Sequence, residues 1–256
     1  MPVIEPAIRP PAEAESFLLQ VTTGCSANSC TFCGAYQGKR FALKPFEEIE
    51  EDIRRQASVC PQTKRAFLMD GDAMLLSNER LLPVMDLLND GFPHLRRIAS
   101  YANDFNILKK TDYELAECAE RKLRLIYMGL ESGSQEVLDR CGKKSTVEGM
   151  IQAVSRAKRA GIKSSVIVLI GLGGKELSSL HARKTAEALN RMQPHYLSFL
   201  TLIVIPGTPL YRDACSGRFR LLSPRESLAE MEEIISCLNL EKTIFRSNHA
   251  SSYLPL

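Results

Sequence analysis

Six short apolar runs, separated by longer amphipathic stretches, constrain this chain more than any other feature. They read FLLQV (17–21), RAFLM (65–69), RIASY (97–101), LRLIYMGL (123–130), KSSVIVLIG (163–171) and YLSFLTLIVI (196–205). Each is dense in β-branched or aromatic residues and bounded by turn formers, which predicts a strand buried on both faces. Helix signals lie between them. After Pro45, the residues Phe46, Ile49 and Ile53 recur at helical spacing, with acidic residues on the other face. Leu81, Leu82, Met85 and Leu88 share one face of a second helix. Thr111 with Glu114, Ser132 with Gln135, and Ser223 with Glu226 have capping-box spacing, and Pro224 strengthens the last. Strands that alternate with helices pair in parallel through right-handed crossovers. The fold class is therefore α/β, as an open doubly wound sheet or a barrel short of eight units.

The 256 residues suffice for one large domain, and no shift in composition marks a second. Pro2, Pro6, Pro10 and Pro11 make residues 1–16 an expected extended arm. The formal charge of +3 is dispersed, with no basic block, so there is no clear nucleic-acid signal. No leader pattern and no run long enough to span a bilayer is visible, which makes a reducing, cytoplasmic location the expectation. The eight cysteines are then not a disulfide framework. Five of them (Cys60, Cys118, Cys141, Cys215 and Cys237) are scattered and read as small buried hydrophobes.

The other three are clustered in CSANSCTFCG (25–34), directly after the first strand. That places Cys25, Cys30 and Cys33 at the carboxyl end of the sheet, where βα loops build active sites. Asn28, Ser29 and the flanking Gly24 and Gly34 favour an irregular loop that can curl its thiolates toward one centre. Structural zinc wants four ligands, usually in two separated pairs, and the four histidines stand apart in the sequence. An iron–sulfur cubane held by three cysteines leaves one iron open, which is a catalytic arrangement.

The triplet and the motifs after it resemble the radical S-adenosylmethionine (SAM) superfamily. The loop reads C-x4-C-x2-C, with a first gap one residue longer than the family's usual one and with the family's aromatic, Phe32, before the last cysteine. GDAMLL (71–76) is similar to the turn that receives the methionine amine, here Gly71, Asp72 and Ala73, although the family's acidic third position is Ala73. GLESGS (129–134) is similar to the segment contacting the ribose and methionine groups, through Glu131 and Ser132. IGLGG (170–174) resembles the glycine turn beside the adenine, with Gly171, and VIPGTPLY (204–211) resembles the closing adenine-side loop, with Ile205 and Pro206.

The resemblance implies a partial (β/α)6 TIM-like barrel over residues 17–211, with residues 212–256 a C-terminal helix and tail packed on it. It implies a [4Fe-4S] cluster on Cys25, Cys30 and Cys33, with SAM on its open iron. Reductive cleavage of SAM to methionine and a 5′-deoxyadenosyl radical, which takes hydrogen from an organic substrate, would follow. A reductase such as flavodoxin or ferredoxin would supply the electron. The competing reading is a non-catalytic zinc or iron–sulfur redox sensor that adds Cys60 or a histidine to the triplet. The basic loop GKRFALK (38–44) reads as a solvated face, with a substrate carboxylate or phosphate as its alternative partner.

Overall fold

The computed structural model describes residues 8–36 and 38–254, so part of the expected N-terminal arm, residues 1–7, lies outside the described residues. The described residues contain nine strands: β1 Phe17–Gln20, β2 Thr22–Thr23, β3 Ala42–Leu43, β4 Arg65–Met69, β5 Arg97–Tyr101, β6 Leu123–Glu131, β7 Lys163–Ile170, β8 Tyr196–Thr201 and β9 Ile244–Arg246. Seven form one sheet in the order β1-β4-β5-β6-β7-β8-β9, and β2 with β3 makes a small antiparallel pair. The registers β1–β4, β4–β5, β5–β6, β7–β8 and β8–β9 are all parallel. The sheet ends at β1 and β9 without closing, as in a partial TIM-like barrel. All six expected strands are present; β9 and the small hairpin are additions to them.

The chain folds as two compact units interleaved in sequence. The first takes residues 1–26, 38–127 and 156–163; the second takes 27–37, 128–155 and 164–256.

In the first unit, helix Phe46–Val59 starts behind Pro45, with Glu47 and Glu48 in the turn where the helix dipole favours anions. It buries Ile49 and Ile53. Helix Asn78–Gly91 buries Leu81, Val84, Met85 and Leu88. The box at Thr111 forms: its Oγ1 accepts the Glu114 amide at 3.1 Å and Glu114 accepts the Thr111 amide at 2.7 Å. Glu13 is fully buried and accepts from Tyr127 Oη and from Arg97 Nη2, each at 2.6 Å, and from Ser16 Oγ. Tyr127 itself meets the rings of Phe67 and Tyr101 edge-on. Glu13→Ala removes the shared acceptor of these three hydrogen bonds, so a loss of about 2 kcal/mol is expected in urea unfolding. A change below about 0.5 kcal/mol would show that the buried carboxylate contributes nothing.

In the second unit, Ser223 caps helix Pro224–Ser236 and Glu226 reaches back to the Ser223 amide at 2.7 Å, with Pro224 at the first helical position. The box expected at Ser132 and Gln135 does not form. Helix Gln135–Arg140 starts two residues later, after Ser134, and the Ser132 hydroxyl is committed elsewhere. Val137, Cys141, Leu169, Leu172, Leu202 and Leu210 make a buried apolar cluster that takes in the end of β7 and the residue after β8.

Candidate active site

In the first unit, the end of β4 is stitched to the start of the cysteine loop. Asp70 is fully buried with a left-handed φ of +66°. Its Oδ2 accepts the Gly24 amide at 2.9 Å, Lys39 Nζ at 3.1 Å and Gln20 Nε2 at 3.3 Å. In return the Gly71 amide donates to the Gly24 carbonyl at 3.0 Å. Cys25 then lies against the bare backbone of Gly71, where an added Cβ would stand 2.7 Å from Cys25 Cβ and 3.0 Å from its Sγ. Asp72 is buried and accepts from the Ser26 hydroxyl and the Asn106 amide. Burial pushes its carboxyl upward, opposed by the hydrogen bonds of Ser26, Asn106 and Asn103. Asp72 thus anchors the residue after Cys25, and Ala73, fully buried, opens the following short turn.

In the second unit, Cys30 and Cys33 bracket a tight turn, with the Cys33 amide donating to the Cys30 carbonyl at 3.2 Å. The turn is held by backbone: Thr31 N donates to Cys141 O at 2.8 Å, Leu210 N to Thr31 O at 3.0 Å, and Ser29 Oγ to Gly142 O at 2.7 Å. Phe32 packs on the apolar cluster. Ile205 presses on Gly34, whose missing Cβ would fall 2.7 Å from Ile205 Cγ2. Pro206 is exposed in the turn that leads to Thr208, the cap of helix Pro209–Cys215. Glu131 ends β6 in a left-handed conformation, φ +61°, with Lys143 Nζ 3.7 Å from its Oε1. Burial raises its carboxyl and Lys143 opposes the rise. Ser132 is fully buried beside His181, and Gly171, φ +88°, donates its amide to Glu230 Oε1 at 2.6 Å.

The expected site residues therefore fall into two sets. Cys25, Gly71, Asp72 and Ala73 belong to the first unit, and Cys30, Phe32, Cys33, Glu131, Ser132, Gly171, Ile205 and Pro206 to the second. Among the described residues, no three Cys, His, Asp or Glu side chains are gathered as a ready metal set. The donors nevertheless suit an iron–sulfur cluster: all three thiols are unbridged and half-buried, and Cys25 is seated where only glycine fits behind it. Asp70, Lys39, Asn106, His181 and Glu230, which hold the expected residues in place, belong to none of the motifs read from the sequence as the site. Lys39, expected in a solvated loop, is a buried-carboxylate partner instead.

A family model described as the radical SAM superfamily matches residues 19–189, more than half of the chain. A heme chaperone, HemW, of Bacillus subtilis is 28% identical over 177 residues, which are 68% of this chain and 46% of that protein. Among solved structures, coproporphyrinogen III oxidase (HemN) from Escherichia coli superposes with a TM-score of 0.62 at 15% identity, covering 86% of this chain and 51% of that one. The radical SAM methyltransferase TsrM from Kitasatospora setae, with cobalamin and a [4Fe-4S] cluster bound, gives a TM-score of 0.61 at 17% identity, covering 79% and 39%. The chain spans less than half the length of the curated relatives it matches. No helix among the described residues is long and apolar enough to cross a membrane.

Proposed function

Because this chain belongs to the radical SAM superfamily, we propose that it is a cytoplasmic enzyme that binds a [4Fe-4S] cluster through Cys25, Cys30 and Cys33. The observation that carries this reading is the family match over residues 19–189, within which the cysteine loop and the glycine-rich strand ends fall in order. Once bound, the cluster would supply the electron for cleaving SAM to methionine and a 5′-deoxyadenosyl radical, which takes hydrogen from an organic substrate. The chain itself orients and shields. In this reading residues 17–211 carry the site.

Gly71, Asp72 and Ala73 offer backbone to the methionine amine, with Asp72 fixing the strand end through Ser26. Glu131, held near Lys143, accepts from the ribose hydroxyls, as carboxylates do in dinucleotide folds. Phe32, on the apolar cluster, and Ile205, against Gly34, offer apolar surface to the adenine, with the Gly171 turn and Pro206 offering backbone. A reductase such as flavodoxin or ferredoxin delivers the electron.

Anaerobic reconstitution with iron and sulfide tests the scheme. The expected outcome is about four irons per chain and, with dithionite, conversion of SAM to methionine and 5′-deoxyadenosine. Stoichiometric zinc with no cleavage would overturn it in favour of a sensor.

A further inference from the structure

Ser132 after β6 and Gly171 after β7 are joined by a buried relay that neither loop contains. Glu230, on helix Pro224–Ser236, is 2% exposed. Its carboxylate accepts the Gly171 amide at 2.6 Å through Oε1 and the Ser178 hydroxyl through Oε2. The same Oε1 lies 3.6 Å from His181 Nε2, a buried nitrogen with no hydrogen-bond partner among the described residues. On the other side of the ring, Nδ1 is 2.8 Å from Ser132 Oγ, which accepts the Ser134 amide at 3.0 Å. Nε2 faces a carboxylate oxygen, an acceptor, which favours the imidazole proton on Nε2 and leaves Nδ1 to accept the Ser132 hydroxyl.

We propose that Glu230, acting through His181, is a positioning residue that locks the Ser132 and Gly171 loops in the conformation that receives SAM. The proposal rests on the enzyme reading above and goes beyond the family match, since Glu230 lies outside residues 19–189. Removing the carboxylate frees the Gly171 amide and takes away the charge that orients His181. Through His181, Ser132 then loses its fixed hydroxyl.

The relay has a pH response. Burial raises the Glu230 carboxyl to about 7, opposed by Ser178 and the Gly171 amide and reinforced by Glu233. Burial holds His181 neutral by lowering it to about 4. The groups facing Glu230 are thus His181 and Ser178 on helix Gly174–Met192, the Gly171 amide, and Glu233 on its own helix. Lys175 is engaged by Glu226 one turn away. An ionised carboxylate accepts amide and hydroxyl protons more strongly than a neutral one, so the clamp tightens as pH rises through about 7. The sign for global stability is opposite. A raised carboxyl contributes fully below its unfolded range, and that contribution is lost as pH rises through its folded value.

Two readouts separate positioning from mere structure. Amide exchange is followed at Gly171 and Ser134 in the metal-free protein, and SAM affinity is measured on the cluster-loaded protein, from about pH 6 to about pH 8. Glu230→Ala is expected to lower protection at both amides and to weaken SAM binding about tenfold. Glu230→Gln keeps an acceptor for Gly171, so it should restore most of the protection but abolish its rise with pH. Loss of protection at Gly171 alone, or wild-type SAM affinity in Glu230→Ala, would overturn the proposal. So would a pH response retained in Glu230→Gln, which decides the matter if the alanine variant does not fold. If the wild type binds no SAM, the enzyme reading falls, and exchange at the two amides still decides whether Glu230 couples the loops.

Discussion

Cys30→Ala is expected to leave the protein folded and to remove both its iron and its SAM cleavage. The turn that carries Cys30 is held by bonds of its neighbours: Thr31 N to Cys141 O, Leu210 N to Thr31 O and Ser29 Oγ to Gly142 O, all independent of the Cys30 side chain. The side chain is half-buried and unbridged, so truncating it creates no large cavity. Thermal unfolding should shift by no more than a few degrees. Function should respond quite differently. Weakening merely the outer support of a metal ligand costs about 10- to 100-fold, and losing one of three ligands should cost more, so 5′-deoxyadenosine formation should fall to background. The exposed Cys237 supplies the control, since Cys237→Ala should keep full iron. A Cys30→Ala protein that still binds about four irons would remove the triplet from the site.

The cysteine triplet was legible because three thiols within nine positions have no packing explanation. The six strands were legible because burial on both faces writes a continuous apolar run into the sequence. β9 was not: it has three residues, with Ile244 exposed, and its pairing to β8 is specified by what precedes and follows it. Capping boxes split along the same line. At Thr111 and Ser223 the box partner is a carboxylate and both motifs form, whereas Ser132 is fully buried and is taken by His181 and the Ser134 amide. The supports of the site left no local pattern at all. Asp70 lies 46 positions from the amide it holds and Glu230 lies 59 from Gly171, so only the folded backbone brings each to its partner. The division into two units was equally silent. The chain passes between them inside the cysteine loop and after it, within β6, within helix Val147–Arg159 and at the start of β7, and no change of composition accompanies these crossings.

The supports matter because they remove the freedom a crowded cysteine would need, and Gly71→Ala measures this directly. The new methyl would stand 2.7 Å from Cys25 Cβ, closer than real side-chain carbons approach, and at a tight 3.0 Å from Sγ and 3.1 Å from Cα. Relief requires Cys25 or the end of β4 to move. Cys25 is pinned on both sides, by Gly24, whose amide and carbonyl are bonded to Asp70 and Gly71, and by Ser26, which is bonded to Asp72. The strand end is pinned by the same bonds and by Asn106 on Asp72. Overpacking of this kind costs about 1–3 kcal/mol. Here the strain falls on a thiol that must be aimed within a fraction of an ångström, so iron incorporation should drop further than stability does. The expected result is less than about a quarter of wild-type iron after reconstitution, with a fold intact by circular dichroism. Gly91→Ala is the matched control: its methyl meets Ile53 at an ordinary 3.4 Å at the end of a helix, so stability should hold or rise and iron should be unaffected. Full iron loading of Gly71→Ala would mean that Cys25 moves freely and that the stitching of Asp70 and Asp72 does not position it.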